Sequence, residues 1–259
     1  MDEIKQIRAV IKAKDVLKYL SVSELKVQYK GKKLGFLWAI LDPLIYLLIY
    51  LLLVKVIFQR GTDEFPALLF CGIIAHRWFG QSISSSVNCI VGNGKLIQTV
   101  KVPLLVFPLS KVWVSTVNFL IGLALLFPIL FFLKINFSLN IFWLPLIVVL
   151  QLLFNIVYSS IAAFVGVFFK DLKNIITFSV RLLLYLSPVL YDVASIPEKL
   201  YKPYMILNPF AGLFTSYKNV LVHGESPSIY LLSLVIYVLI GFFVMFWANG
   251  KGNLYVKYL

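Results

Sequence analysis

The stretch VQYKGKKLGFLWAILDPL, residues 27–44, passes from a cluster of lysines to a run of Leu, Ile, Phe and Trp that carries an Asp-Pro pair inside it. A cationic segment set directly against a long apolar one is what a chain presents where it leaves a membrane surface and enters hydrocarbon. The rest of the chain agrees. Of its 259 residues, 61% are hydrophobic and 14% charged, against roughly a quarter charged in soluble domains. A soluble fold has nowhere to bury that much apolar surface, so the composition points to an all-α integral membrane protein with no separate globular domain.

Apolar runs near or above the roughly 20 residues that span a bilayer occur at 35–58, 67–91, 104–133, 141–169, 175–191 and 229–249. The expected fold is therefore one domain, 1–259, with a cytoplasmic interface segment at 1–33 and a six-span bundle at 34–259. Alternating the intervening segments places fifteen Lys and Arg on one side against five on the other, so both termini are expected to be cytoplasmic. Residues 1–33 are polar and no small-residue cleavage pattern follows the first run, so no signal peptide is expected.

Residues 205–222 are long enough to suggest a seventh span. That would put Asn208, Pro209 and Lys218 at membrane depth, where the lysine alone costs about 2.5–3.5 kcal/mol near the centre. A re-entrant or outer-leaflet helical pair between spans 5 and 6 is expected instead, its backbone groups satisfied by protein. The fifth run is short and ends in YLSPVLYD, where Pro188 halts or kinks the helix.

Ahead of the first span, Val22, Leu25 and Tyr29 recur at helical spacing on one face of 22–33, with Lys26, Lys30 and Lys33 on another. This predicts an amphipathic interface helix that favours an anionic leaflet, with Gly31 and Gly35 permitting the turn into the membrane. Of the acidic residues, only Asp42 lies well inside an apolar run, so no carboxylate pair is available for acid-base chemistry or proton relay and no catalytic residue is expected. Asp42 is free to accept backbone hydrogen bonds or to pair with a cation such as Arg181. Two cysteines and two histidines make no metal-ligand cluster, and Cys71 and Cys89, about 27 Å apart along one helix, cannot pair. GNGKL at 92–96 lacks the spacing of a phosphate loop. The net charge of +13 concentrates at span ends, which is a membrane pattern rather than a nucleic-acid one.

LKVQYKGKKLGFLWAILDPL resembles the start of ABC-2 type permeases that export polysaccharides. FFKDLKNI, LLLYLSPVLY, LNPFAGLFTSYKNVLVHG and LIQTVKVPLLVFPL resemble further segments of that family in the same order. Asp42 stands where the family more often has Asn, Lys170 where it has Arg, and Arg181 where it has Gln. The resemblance implies a homodimer in the cell's inner membrane, working with two separate ATP-binding-cassette subunits that carry ATP and Mg, and exporting a lipid-linked polysaccharide of the O-antigen, teichoic acid or capsule type. No cofactor is implied in this chain.

Within that frame Lys26, Lys30, Lys32 and Lys33 are candidates for the pyrophosphate of a lipid carrier. Lys95, Leu96, Ile97, Gln98, Thr99, Val100 and Lys101 form a short element suited to docking on the ATPase. Aromatic rings and hydroxyls at Tyr46, Tyr50, Trp78, Phe79, Ser82, Ser85, Tyr185, Ser187 and Tyr191 are candidates for a sugar path. The rivals are a permease of the same superfold for a small hydrophobic compound, and an ATP-independent lipid flippase.

Overall fold

The computed structural model describes residues 3–57, 59, 62–100, 102–136, 138–250 and 255, and these contain helices and no strand. Two helices, α1 (Glu3–Lys12) and α2 (Lys14–Tyr29), precede the bundle. A 3-10 turn at Gly35–Leu37 leads into α3 (Trp38–Leu51), which runs on through a π-helical stretch, Leu52–Ile57. Then follow α4 (Phe65–Ser86), the short α5 (Cys89–Gly92) and α6 (Gly94–Thr99), and α7 (Val106–Phe132). A 3-10 turn at Leu139–Trp143 opens α8 (Leu144–Phe168), and α9 (Leu172–Leu186) follows. The pair α10 (Glu198–Leu207) and α11 (Pro209–Lys218) separates α9 from α12 (Leu231–Asn249).

Among the described residues four segments are long and apolar enough to cross a membrane: Gly35–Ile57, Val106–Phe132, Leu139–Phe168 and Leu231–Asn249. α4 has the length, but His76, Arg77, Gln81 and four serines fill its second half. α9, with 15 residues, rises only about 22 Å. Each of the six apolar runs in the sequence thus contains one of the longer helices, while length and apolarity by themselves mark four as membrane-crossing.

Two boundaries differ from the sequence pattern. The interface helix starts eight residues earlier than its periodicity suggests and ends at Tyr29, so Lys30, Lys32 and Lys33 lie in a turn and do not extend a helical row from Lys26. The turn is set by Gly31 at φ +80° and Gly35 at φ +47°, a left-handed backbone that side chains with a Cβ rarely adopt. The second run is not one helix: it stops at Ser86 and restarts at Cys89. Cys71 and Cys89 are both buried, with free thiols.

α4 is the hub, packing against α3, α7, α8, α9 and α11. Its Trp78 ring stacks on Phe119 of α7 at 4.1 Å between centroids, and Phe79 meets Phe210 at 4.7 Å and Phe154 at 5.6 Å. A second cluster at the opposite end joins Ile90, Ile97, Leu104, Phe107, Phe164 and Met245. There Asn249 Nδ2 donates to Gln6 Oε1 at 2.5 Å, which brings the N-terminal helix beside the end of α12.

Close helix contacts depend on residues without a side chain. A Cβ added at Gly166 of α8 would lie 2.1 Å from the Val87 carbonyl oxygen, a backbone atom with no freedom to rotate away. Gly166→Ala is therefore expected to lower stability by about 1–3 kcal/mol, read as a fall in the thermal unfolding temperature in detergent. Gly92→Ala, which faces open space, is expected to leave that temperature unchanged.

Candidate functional site

The last turn of α2 brings Gln28 and Tyr29 against the bundle. The Tyr29 hydroxyl donates to Asn118 Oδ1 of α7 at 2.7 Å, and Asn118 Nδ2 donates to Gln28 Oε1 at 3.4 Å. Burial, and after it the nearby Asp42 carboxylate, push the Tyr29 phenol above its ordinary value, so it stays protonated as the donor. Lower along the same helices, Lys111 Nζ meets Glu24 at 2.6 Å. α2 therefore runs alongside the first half of α7, with Tyr19 and Val27 left exposed on its outer face.

Asp42 does not pair with Arg181, the partner suggested by the sequence. Its carboxylate faces Arg77 of α4 at 3.6 Å, and the Arg77 guanidinium also lies over the Tyr46 ring, 4.3 Å from its centroid. A planar, weakly hydrated cation can serve a carboxylate at its edge and an aromatic ring at its face. Around this pair is a recess of about 50 Å³ lined by Tyr29, Lys32, Trp38, Arg77, Gln81 and Asn118 among others. It continues into a wider groove of about 500 Å³ between α2, α4 and α7, bordered by Ser84, Ser85, Lys111 and Lys173.

The proposed sugar-path residues divide by their surroundings. Tyr46 and Tyr185 are 44% and 63% exposed, and the Tyr50 and Tyr185 side chains lie close enough to interact, with Tyr46 beside them. These three form one tyrosine face between α3 and α9. Ser85 borders the polar groove. Trp78, Phe79, Ser82 and Ser187 are instead buried in the chain. Trp78 Nε1 donates to Thr116 Oγ1 at 3.1 Å, Ser82 shares a 2.6 Å hydrogen bond with Ser115, and Ser187 contacts Asn208. Tyr191 shares a hydrogen bond with Tyr204, a residue outside the expected path, at 2.9 Å.

The four candidate lysines, Lys26, Lys30, Lys32 and Lys33, are all exposed, and of them only Lys32 lines the recess. In the candidate coupling segment α6 is the expected short helix. Ile97 is buried in the inner cluster and Leu96 packs against it, while Lys95, Gln98, Thr99 and Val100 face outward. Lys101 lies outside the described residues. Among the described residues no group of three or more His, Cys, Asp and Glu is placed to hold a metal ion.

Arg77, Gln28 and Asn118 escaped the sequence reading. A signal was present for Arg77, because an ionisable residue inside an apolar run is by itself a functional candidate. Gln28 and Asn118 become meaningful only once α2 is laid against α7.

Long apolar helices with an N-terminal helix folded against them make this a multi-pass membrane protein. The chain belongs to the ABC-2 type transporter family, which it matches over residues 15–222. It is 30% identical over 229 residues to the O-antigen export system permease protein RfbA of Myxococcus xanthus, covering 86% of each chain. To the protein of the same name from Klebsiella pneumoniae it is 29% identical over 211 residues, 81% of each. The polysialic acid transport protein KpsM of Escherichia coli is 25% identical over 229 residues, 87% of this chain and 88% of that one.

The half-exposed Asp42–Arg77 pair is expected to contribute at most about 1 kcal/mol. Asp42→Asn should therefore unfold within a few degrees of the parent in a detergent thermal melt. Arg77→Ala also loses the contact with Tyr46 and is expected to fall further, by about 0.5–1 kcal/mol more. Equal losses in the two variants would show that the ring contact contributes nothing.

Proposed function

We propose that this chain is the transmembrane subunit of an ATP-driven exporter that moves a lipid-linked polysaccharide from the cytoplasmic to the outer face of the inner membrane. The observation that carries the reading is similarity over more than four-fifths of the chain to permeases for two different glycans, O antigen and polysialic acid. The tyrosine face of Tyr46, Tyr50 and Tyr185 supports it. Flat rings with hydroxyl edges bind sugar C–H faces and sugar hydroxyls weakly and repeatedly, which a sliding polymer requires.

In this reading α3, α4, α7, α8, α9 and α12 are the six spans, and α10 and α11 dip into the bundle from the outer side and return. The Gln6–Asn249 contact supports an even number of crossings, with both chain ends on the cytoplasmic side. Two copies form the conduit and two ATP-binding-cassette subunits, carrying ATP and Mg, drive it. α6 is the docking element: Ile97 anchors it to the inner cluster, and Lys95, Gln98, Thr99, Val100 and Lys101 meet the ATPase. Anchored in this way, a push on α6 is delivered to the ends of α4 and α7 rather than lost in a loose loop. Lys26, Lys30, Lys32 and Lys33 gather the pyrophosphate of the carrier lipid at the membrane surface, with Lys32 nearest the polar recess. Ser85 lines the groove that continues from it.

The test pairs export with ATP hydrolysis. Tyr50→Ala and Tyr185→Ala are each expected to lower glycan at the cell surface by about threefold to tenfold, the contribution of one aromatic platform, with complex assembly and ATPase activity retained. Tagged parent protein that never brings down an ATPase subunit would remove the energy source and with it the reading.

A further inference from the structure

α9 stops at Leu186, where Ser187 turns to extended backbone, and the chain then runs without regular structure to the short turn at Val193–Ser195. Carbonyl groups released at a helix end inside a bundle need donors, because an unpaired buried carbonyl is expensive. Beside the Val189 amide, which donates to the Ser187 carbonyl at 2.7 Å, the donors are side chains of α10, α11, the residue between them and the stretch itself. The Leu186 carbonyl accepts from Asn208 Nδ2 at 3.1 Å and from the tyrosine pair, whose hydroxyls lie 2.9 Å (Tyr204) and 3.1 Å (Tyr191) from it and 2.9 Å from each other, two protons serving the three contacts. The Pro188 and Tyr191 carbonyls both accept from Lys218 Nζ, at 2.6 Å and 2.9 Å.

Lys218 is 7% exposed and stands at the last position of α11, from which the chain runs on through the π-helical Asn219–His223. Among the described residues it makes no ion pair. The Asp192 carboxylate is within electrostatic range but caps its own turn through the Ala194 amide. A buried ammonium held only by carbonyl oxygens is tolerable while those oxygens stay in place. The dependence runs both ways, since charge-assisted hydrogen bonds are the strong ones. The same stretch is pressed on α4, where a Cβ at Gly72 would lie 3.1 Å from the Val189 Cα.

We infer that Lys218 is a positioning residue for the export path. Its ammonium fills the place of a cation bound between two backbone carbonyls and fastens the broken end of α9 to α11. It thereby fixes where Tyr185, the next-to-last residue of α9, stands against Tyr50. The link to export rests on the tyrosine face being the glycan path, whereas the fastening itself does not.

Val189, 1% exposed, is a reporter. A Val189→Cys chain, solubilised in detergent, is reacted with a maleimide, with the buried native thiols of Cys71 and Cys89 followed in a chain lacking the added cysteine. Labelling is expected to be slow with Lys218 and at least about tenfold faster with Lys218→Met, the scale of losing two charged hydrogen bonds. In Lys218→Ala, added ethylammonium is expected to slow labelling again, a rescue that a general loosening of the core would not show. Equal labelling rates with Lys218 and Lys218→Met overturn the inference. If the Met variant does not accumulate, Lys218→Gln replaces it. Its uncharged amide is about one bond too short to reach both carbonyls, so parent-like labelling in that variant overturns the inference as well. Fast labelling with undiminished glycan export would uphold the fastening and reject the tyrosine face as the path.

Discussion

Inside a bilayer a polar group that leaves its helix must find its partner in the protein, because the surrounding hydrocarbon offers none. Much of this structure is arranged around that constraint. Where α9 ends early, α10 and α11 fold back to supply hydroxyl, amide and ammonium donors to the released carbonyls. Where α4 carries serines, Ser82 and Ser86 turn onto the carbonyls at Trp78 and Ser82. The α10–α11 pair is thus more than a connection between two long helices: its buried side chains complete the interrupted one, and the aromatic cluster of Phe79, Phe154 and Phe210 packs α11 against α4 and α8.

The same constraint operates at the end of the surface helix. Asp42, Arg77 and Asn118 lie on three different helices yet gather in one recess with Tyr29. The Asp-Pro pair inside an apolar run is thereby given partners within the protein: the Asp42 carboxylate meets the Arg77 guanidinium, and beside them α2 is fastened by hydrogen bonds to α7.

The sequence was most legible where the signal is additive along the chain. Runs of apolar residues located all the long helices, the lysine asymmetry suggested an orientation, and Pro188 marked the break after α9. It was least legible where meaning depends on which helix faces which. Tyr46 and Trp78 are both aromatic residues in apolar runs, yet one stands exposed and the other is stacked against Phe119, and no local pattern separates them. Arg77 was lost in a run read as apolar, so Asp42 was offered a partner on the wrong helix. The surface helix was misjudged at its end because helical spacing continues through the lysines, while the left-handed glycine at 31 stops it.

The contact between Gln6 and Asn249 makes the backbone nearly a closed loop. The first and last helices are held to one another at one end of the bundle, next to the cluster that also anchors α6. A displacement of either helix is thereby transmitted to the other without passing through the long helices between them.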